Sequence, residues 1–195
     1  MKTNIIGIAG TNGSGKDTIG QILVEQFHYT FVSVTDSLRA EAHRRGMAEN
    51  RASTRTISAE WRRQHGLSIL VDKVIDQYHE QVERGGNLAM ASLRHPAEAD
   101  RIHERGGLVI WVDADPRLRY DRIQVNAAAR NRASEDNKTF EQFLAEEEAE
   151  MHGSGDEATL DMSAVRSKSD VVIINNFDSK PALAEEVANQ LHLLA

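Results

Sequence analysis

The hydrophobic positions along the chain change period several times, and each change marks an element. Asn4 to Ala9 is a short apolar run bounded by glycine, the pattern of a strand buried on both faces. From Asp17 the period becomes helical, with Ile19, Ile22, Leu23 and Phe27 on one face. Tyr29 to Val34 is β-branched and aromatic and predicts a second strand. Asp36 to Arg45 predicts a helix stopped by Gly46. Leu67, Leu70, Val71, Val74, Ile75, Tyr78 and Val82 predict one long amphipathic helix ended by Gly85-Gly86. Leu88 to Ser92 reads as a third strand, and Pro96 opens a helix that Gly106-Gly107 closes.

Leu108 to Val112 is the clearest buried strand. Asp115-Pro116 supplies a cap and a first-turn proline, and Thr139 with Gln142 has the spacing of a capping box. Asp170 to Asn175 predicts a fifth strand, and Ser179-Lys180-Pro181 opens a last helix carrying Leu183, Val187, Leu191 and Leu194. Strands that alternate with helices predict a parallel sheet covered on both faces, an α/β fold.

Composition supports a core. Of 195 residues 40% are hydrophobic and 27% charged, which excludes collagen-like or wholly disordered classes. Without cysteine there is no disulfide framework, thiol nucleophile or zinc-thiolate site. No segment has signal-peptide or membrane-spanning character, so a soluble, cytoplasmic chain with no membrane partner is expected. The net charge of −7 argues against a nucleic acid polymer as partner. Arginine nonetheless outnumbers lysine by 17 to six. Its planar fork suits small oxyanions, although an arginine-preferring genome gives the same excess. Glu135 to Glu157 carries nine carboxylates against one lysine and reads as a solvated helix face.

The chemistry is concentrated after the first strand. Gly10-Thr11-Asn12-Gly13-Ser14-Gly15-Lys16 satisfies G-x-x-x-x-G-K between a predicted strand and a predicted helix. Glycines let successive N–H groups turn inward as an anion nest, and the helix start adds its positive dipole end. Lys16 is placed to reach outer phosphates, and the Thr18 hydroxyl an inner one. The phosphate-binding residues expected are Gly10, Asn12, Gly13, Ser14, Gly15, Lys16, Asp17 and Thr18. Threonine at position 18 breaks G-x-G-x-x-G, so a dinucleotide oxidoreductase is disfavoured. Asp17 stands where serine or threonine usually follows the lysine. Two roles are open for it: a magnesium ligand, or a favourable charge at a helix N-terminus.

Gly10 to Thr18 resembles the phosphate loop of small P-loop kinases, especially phage-type deoxynucleoside monophosphate kinases, where aspartate follows the lysine. Adenylate kinases and dephospho-CoA kinases share the rest of the loop. The resemblance implies a P-loop NTPase three-layer sandwich with a five-stranded parallel sheet and a small lid insertion. It implies one domain, residues 1–195, with an acceptor-binding helical region near 36–86 and a lid-like segment near 117–157.

Val34-Thr35-Asp36-Ser37-Leu38-Arg39 is similar to the T-G-D-x-L-R segment of adenylate kinase-like enzymes, without its glycine. That similarity points to Arg39 as an acceptor-phosphate ligand. Arg94, before Pro96-Ala97-Glu98, resembles the strand-end arginine of archaeal adenylate kinase-like proteins, and strand ends are where open α/β sheets bind ligands. Asp115 to Arg122 resembles the helix that leads into a lid, which makes Arg119, Arg122, Arg130 and Arg132 candidate phosphate clamps, Arg122 and Arg132 foremost. The catalytic set implied is Lys16, Arg94, Arg122 and Arg132.

Together these imply transfer of the γ-phosphoryl group of ATP, with Mg²⁺, to a (deoxy)nucleoside monophosphate. A monophosphate oxyanion is already a nucleophile and needs arginines rather than a base. Asp36 has two open roles: a base for a hydroxyl acceptor of the dephospho-CoA type, or a contact to metal-bound water, which places it with Asp17 as a metal candidate. A P-loop binding or hydrolysing regulatory module is the alternative from another class.

Overall fold

The computed structural model describes residues 5–126, 138–153 and 155–192. Among these residues there are five strands: β1 Ile5–Gly10, β2 Tyr29–Ser33, β3 Asn87–Ala91, β4 Leu108–Asp113 and β5 Val171–Ile174. They form one sheet in the order β2-β3-β1-β4-β5. Every neighbouring pair is parallel, with Ile8 beside Ala91 on one side of β1 and beside Ile110 on the other. The central strands are apolar, Asp113 at the end of β4 apart, because both of their faces are covered.

Ten helices are described. They are α1 Lys16–Phe27, α2 Val34–Arg44, α3 Arg51–His65, α4 Ile69–Gln77, α5 His79–Glu83, α6 Pro96–Glu104, α7 Pro116–Val125, α8 Phe140–Met151, α9 Met162–Ser167 and α10 Lys180–His192. On one face of the sheet Ile6, Ile8, Ile110 and Val112 pack against Ile19 and Leu23 of α1 and Val187 of α10. On the other face Met90, Val109 and Trp111 pack against Leu38, Ile57, Val74, Ile102 and Val165. The result is the expected α/β three-layer sandwich.

Local signals in the sequence act where they were read. Asp115 accepts from the N–H groups of Arg117 at 2.9 Å and Leu118 at 3.2 Å, so it caps α7. Thr139 and Gln142 form a reciprocal capping box on α8. Three elements differ from expectation. Helix α2 begins at Val34 itself, so β2 is one residue shorter. The amphipathic stretch from Leu67 to Val82 is broken at Tyr78 into α4 and α5. Helix α3 falls inside the helical region implied near 36–86, but no periodicity marks it; its buried residues are Ser53, Ile57, Ser58 and Arg62, too polar to show an apolar stripe.

Candidate active site at the phosphate loop

The loop between β1 and α1 is held on both sides. Gly10, Gly13 and Gly15 all adopt positive φ, the last at 99°, where a β-carbon would also meet Asn175 Nδ2 at 2.4 Å. Thr11 ties the loop to β4: its N–H donates to the Val112 carbonyl at 3.2 Å and its hydroxyl to Asp113 at 2.8 Å. Asn175, at the end of β5, donates to the Ser14 carbonyl at 2.7 Å. Arg119 of α7, buried, donates to the carbonyls of Ala114 at 2.8 Å and Asn12 at 3.4 Å. The loop conformation is thus fixed by strands β4 and β5 and by α7.

Lys16 curls back over its own loop, with Nζ donating to the carbonyls of Gly10 at 3.0 Å and Thr11 at 2.6 Å. Burial, reinforced by the Arg94 guanidinium, lowers its pKa to about 7, against the pull of Asp17 and Glu150. A lysine at the edge of ionisation, in an anion nest, is suited to gain its proton when a polyphosphate arrives.

A cleft of about 720 Å³ opens at the carboxyl ends of the strands. Of the residues singled out in the sequence, it is lined by Asn12, Gly13, Gly15, Lys16, Asp17, Thr18, Asp36, Arg39, Arg94 and Arg122. Gly10 and Ser14 lie behind it, within the loop. Arg39, half-buried, pairs with the exposed Asp36 at 3.0 Å. Arg122 donates to the carbonyls of Asn175 at 2.9 Å and Phe177 at 3.0 Å, and burial lowers its pKa. It therefore braces the β5–α10 turn at the edge of the cleft. Arg130 and Arg132 lie outside the described residues.

Arg94 stands at the end of β3, just past Ser92, whose φ of 72° turns the chain out of the sheet. Its backbone N–H donates to Glu98 at 2.7 Å, and the same oxygen takes the N–H of His95 at 3.1 Å. Glu98 is fully buried and pairs with Arg62 of α3 at 2.8 Å. The Pro96-Ala97-Glu98 motif therefore holds the backbone that carries Arg94.

The acidic run corrects the expectation of a solvated face at two positions. Glu147 of α8 forms a bidentate pair with Arg119, one contact at 2.7 Å. Glu150 pairs with Arg94 at 2.9 Å and also with Arg55. Burial raises the Glu150 pKa, but Arg94, Arg51 and Arg55 together hold it down to about 2. Arg51, Arg55, Arg62, Glu147, Glu150 and Asn175 were not singled out from sequence. The helical spacing of Arg51, Arg55 and Arg62 is the signal that could have found the three arginines.

A family model described as an AAA domain matches residues 6–152, which takes in the phosphate loop, the cleft and α8. The chain belongs to this AAA domain family. Among curated relatives of this AAA domain, the UPF0200 protein of Pyrobaculum aerophilum is 29% identical over 190 residues, covering 96% of this chain and 97% of that protein. The UPF0200 protein of Pyrococcus horikoshii is 26% identical over 177 residues, covering 88% of each. Among solved structures, a shikimate kinase from Acinetobacter baumannii in complex with shikimate superposes with a TM-score of 0.61 at 16% identity, over 97% of this chain and 93% of that one. A gluconokinase from Sinorhizobium meliloti gives a TM-score of 0.58 at 13% identity, over 100% of this chain and 94% of that one. At such identities the likeness is one of fold: this AAA domain has the P-loop kinase fold. Among its described residues no helix is long and apolar enough to cross a membrane.

Proposed function

We propose that the protein is an ATP-dependent phosphotransferase that moves the γ-phosphoryl group to a small nucleotide acceptor, most simply a (deoxy)nucleoside monophosphate. One observation carries the reading: the phosphate loop with Lys16 and a set of arginines from α2, α3 and β3 front the same cleft. Phosphoryl transfer asks chiefly for positioning and charge neutralisation, which is what such a cleft offers. Lys16 and the amides of residues 12–18 bind the donor phosphates. Arg94 and Arg39 hold the acceptor's anion, and Arg122 closes the donor side. In this reading residues 36–86 are the acceptor-binding region and residues 117–157 the lid, with Arg132 a further clamp.

The residues present fit Mg²⁺. Asp17 and Asp36 line the cleft, and hard carboxylate oxygens completed by substrate phosphates and water are its usual ligands. When bound, the ion would neutralise charge on the donor phosphates.

A second reading has a specific basis. Asp36 fronts the cleft, and the folds of a shikimate kinase and a gluconokinase superpose on this one. Both names denote kinases of small non-nucleotide molecules, so transfer to a hydroxyl, dephospho-CoA included, is tested alongside. A coupled assay with ATP against nucleoside monophosphates, their deoxy forms, dephospho-CoA, shikimate and gluconate decides. The proposal expects near silence with ATP alone and turnover with a monophosphate. Equal hydrolysis with or without any acceptor identifies a regulatory nucleotide-hydrolysing module instead.

A further inference from the structure

Helix α3 presents Arg51, Thr54, Arg55, Ser58 and Arg62 to the cleft. The spacing of three or four residues puts them on one stripe. Arg94 enters the same cleft from the end of β3. Three of these guanidiniums converge on a single carboxylate, that of Glu150 on α8. Oε2 accepts from Arg94 Nη1 at 2.9 Å, while Oε1 accepts from Arg55 Nη2 and lies 3.7 Å from Arg51 Nη1.

Glu150 does not line the cleft. It borders a separate small void behind the phosphate loop, with Gly10, Thr11 and Asn12, and its side chain is only 13% exposed. The carboxylate thus meets the arginines outside the cleft lining, with Arg51 bordering both spaces. Each guanidinium has five N–H donors, so one bond to Glu150 leaves donors of Arg55 and Arg94 for a ligand. Holding a planar fork in place before binding reduces the ordering cost that a ligand must meet. Three guanidiniums and one carboxylate leave two positive charges, the complement of a phosphate dianion. Glu146 also lies 3.6 Å from Arg51, but it is offset by its own pair with Lys138.

We propose that Glu150 is the positioning residue of an acceptor subsite for a phosphate-type dianion, built from Arg51, Arg55 and Arg94. The inference rests on the phosphotransfer reading above and extends it to residues of α3 and α8. Because α8 also grips Arg119 through Glu147, and Arg119 bonds the Asn12 carbonyl, one helix supports both the acceptor subsite and the donor loop.

The test uses the full chain, saturated with a non-hydrolysable ATP analogue and Mg²⁺. It is titrated calorimetrically with nucleoside 5′-monophosphates, the matching nucleosides and inorganic phosphate. A monophosphate should bind at least about tenfold tighter than its nucleoside, with inorganic phosphate competing. Glu150→Gln should weaken the best monophosphate by about tenfold, on the scale of lost supporting contacts, and leave the analogue within about threefold. Arg55→Gln should do the same, and the double variant should be no worse than the weaker single. Monophosphate affinity unmoved by Glu150→Gln, or losses that multiply in the double variant, overturns the proposal. Should Glu150→Gln fail to fold, Arg55→Gln decides alone, since that side chain is half exposed; unchanged affinity there overturns the proposal too. A wild-type protein that binds the analogue but no monophosphate overturns the subsite alone. One that binds no analogue overturns the phosphotransfer reading with it.

Discussion

Asn175, just past the last strand, donates to the carbonyl of Ser14, in the loop after the first, at 2.7 Å. The bond is buried and joins residues 161 positions apart, so the phosphate loop keeps its shape only in the completed sheet. Asn175→Ala leaves a buried carbonyl without its donor, at a cost of about 1–3 kcal/mol. Urea unfolding should show that loss, and calorimetry should show weaker ATP binding than stability alone explains. Unchanged ATP affinity in a folded variant would separate Asn175 from the loop's function.

If ATP binds as proposed, Lys16 makes its binding a protonation event. Its free-site pKa is about 7 against an ordinary 10.5, so between those values the folded chain holds fewer protons than the unfolded one. Stability from this group therefore rises with pH across that window and is lowest below pH 7. A bound polyphosphate favours the ammonium and restores the proton. At pH 8 binding should take up close to one proton, and at pH 6 close to none, with affinity falling as pH climbs above 7. Calorimetry in two buffers of different ionisation enthalpy counts the protons; zero uptake at pH 8 contradicts the account.

Gly20 sets two effects against each other. Replacing a mid-helix glycine by alanine ordinarily gains about 1 kcal/mol of helix stability. Here the new β-carbon would sit 2.2–2.5 Å from three ring carbons of Phe31, between α1 and β2. Overpacking of this kind costs about 1–3 kcal/mol, so Gly20→Ala should be destabilising on balance. A denaturation midpoint above wild type would show that Phe31 yields more easily than its packing implies.

The Arg62–Glu98 pair tests how Arg94 is carried. Removing one partner of a buried pair costs about 3–5 kcal/mol, and Glu98→Ala should lose that much in urea unfolding. An apolar pair at both positions often restores stability elsewhere. It should not do so here, because Glu98 also accepts the N–H groups of Arg94 and His95. A fully stable Arg62→Met, Glu98→Leu protein would contradict that accounting.

The parts legible in the sequence were those whose residues obey one local rule. Strands β1 and β4 are apolar on both faces, and the glycine loop between β1 and α1 has a fixed spacing. Asp115, Thr139 and Gln142 cap their helices as their positions implied. Helix α3 was hidden because Ile57 is its one fully buried apolar side chain, while Arg51, Thr54, Arg55, Ser58 and Arg62 face the cleft and carry no apolar period. The roles of Glu147 and Glu150 were hidden because their partners, Arg119 and Arg94, are 28 and 56 residues away. Arg122 illustrates the converse: the resemblance offers it as a phosphate clamp, while its bonds run to the backbone of Asn175 and Phe177, which only the assembled sheet brings near.

The central claim is that residues 10–18 cup a nucleoside triphosphate through Lys16, and isothermal titration of ATP with Mg²⁺ tests it most directly. The account predicts saturable one-site binding to the wild-type chain and its loss in Lys16→Ala with the fold intact by circular dichroism. Equal binding by the two proteins, or no binding by either, would contradict it.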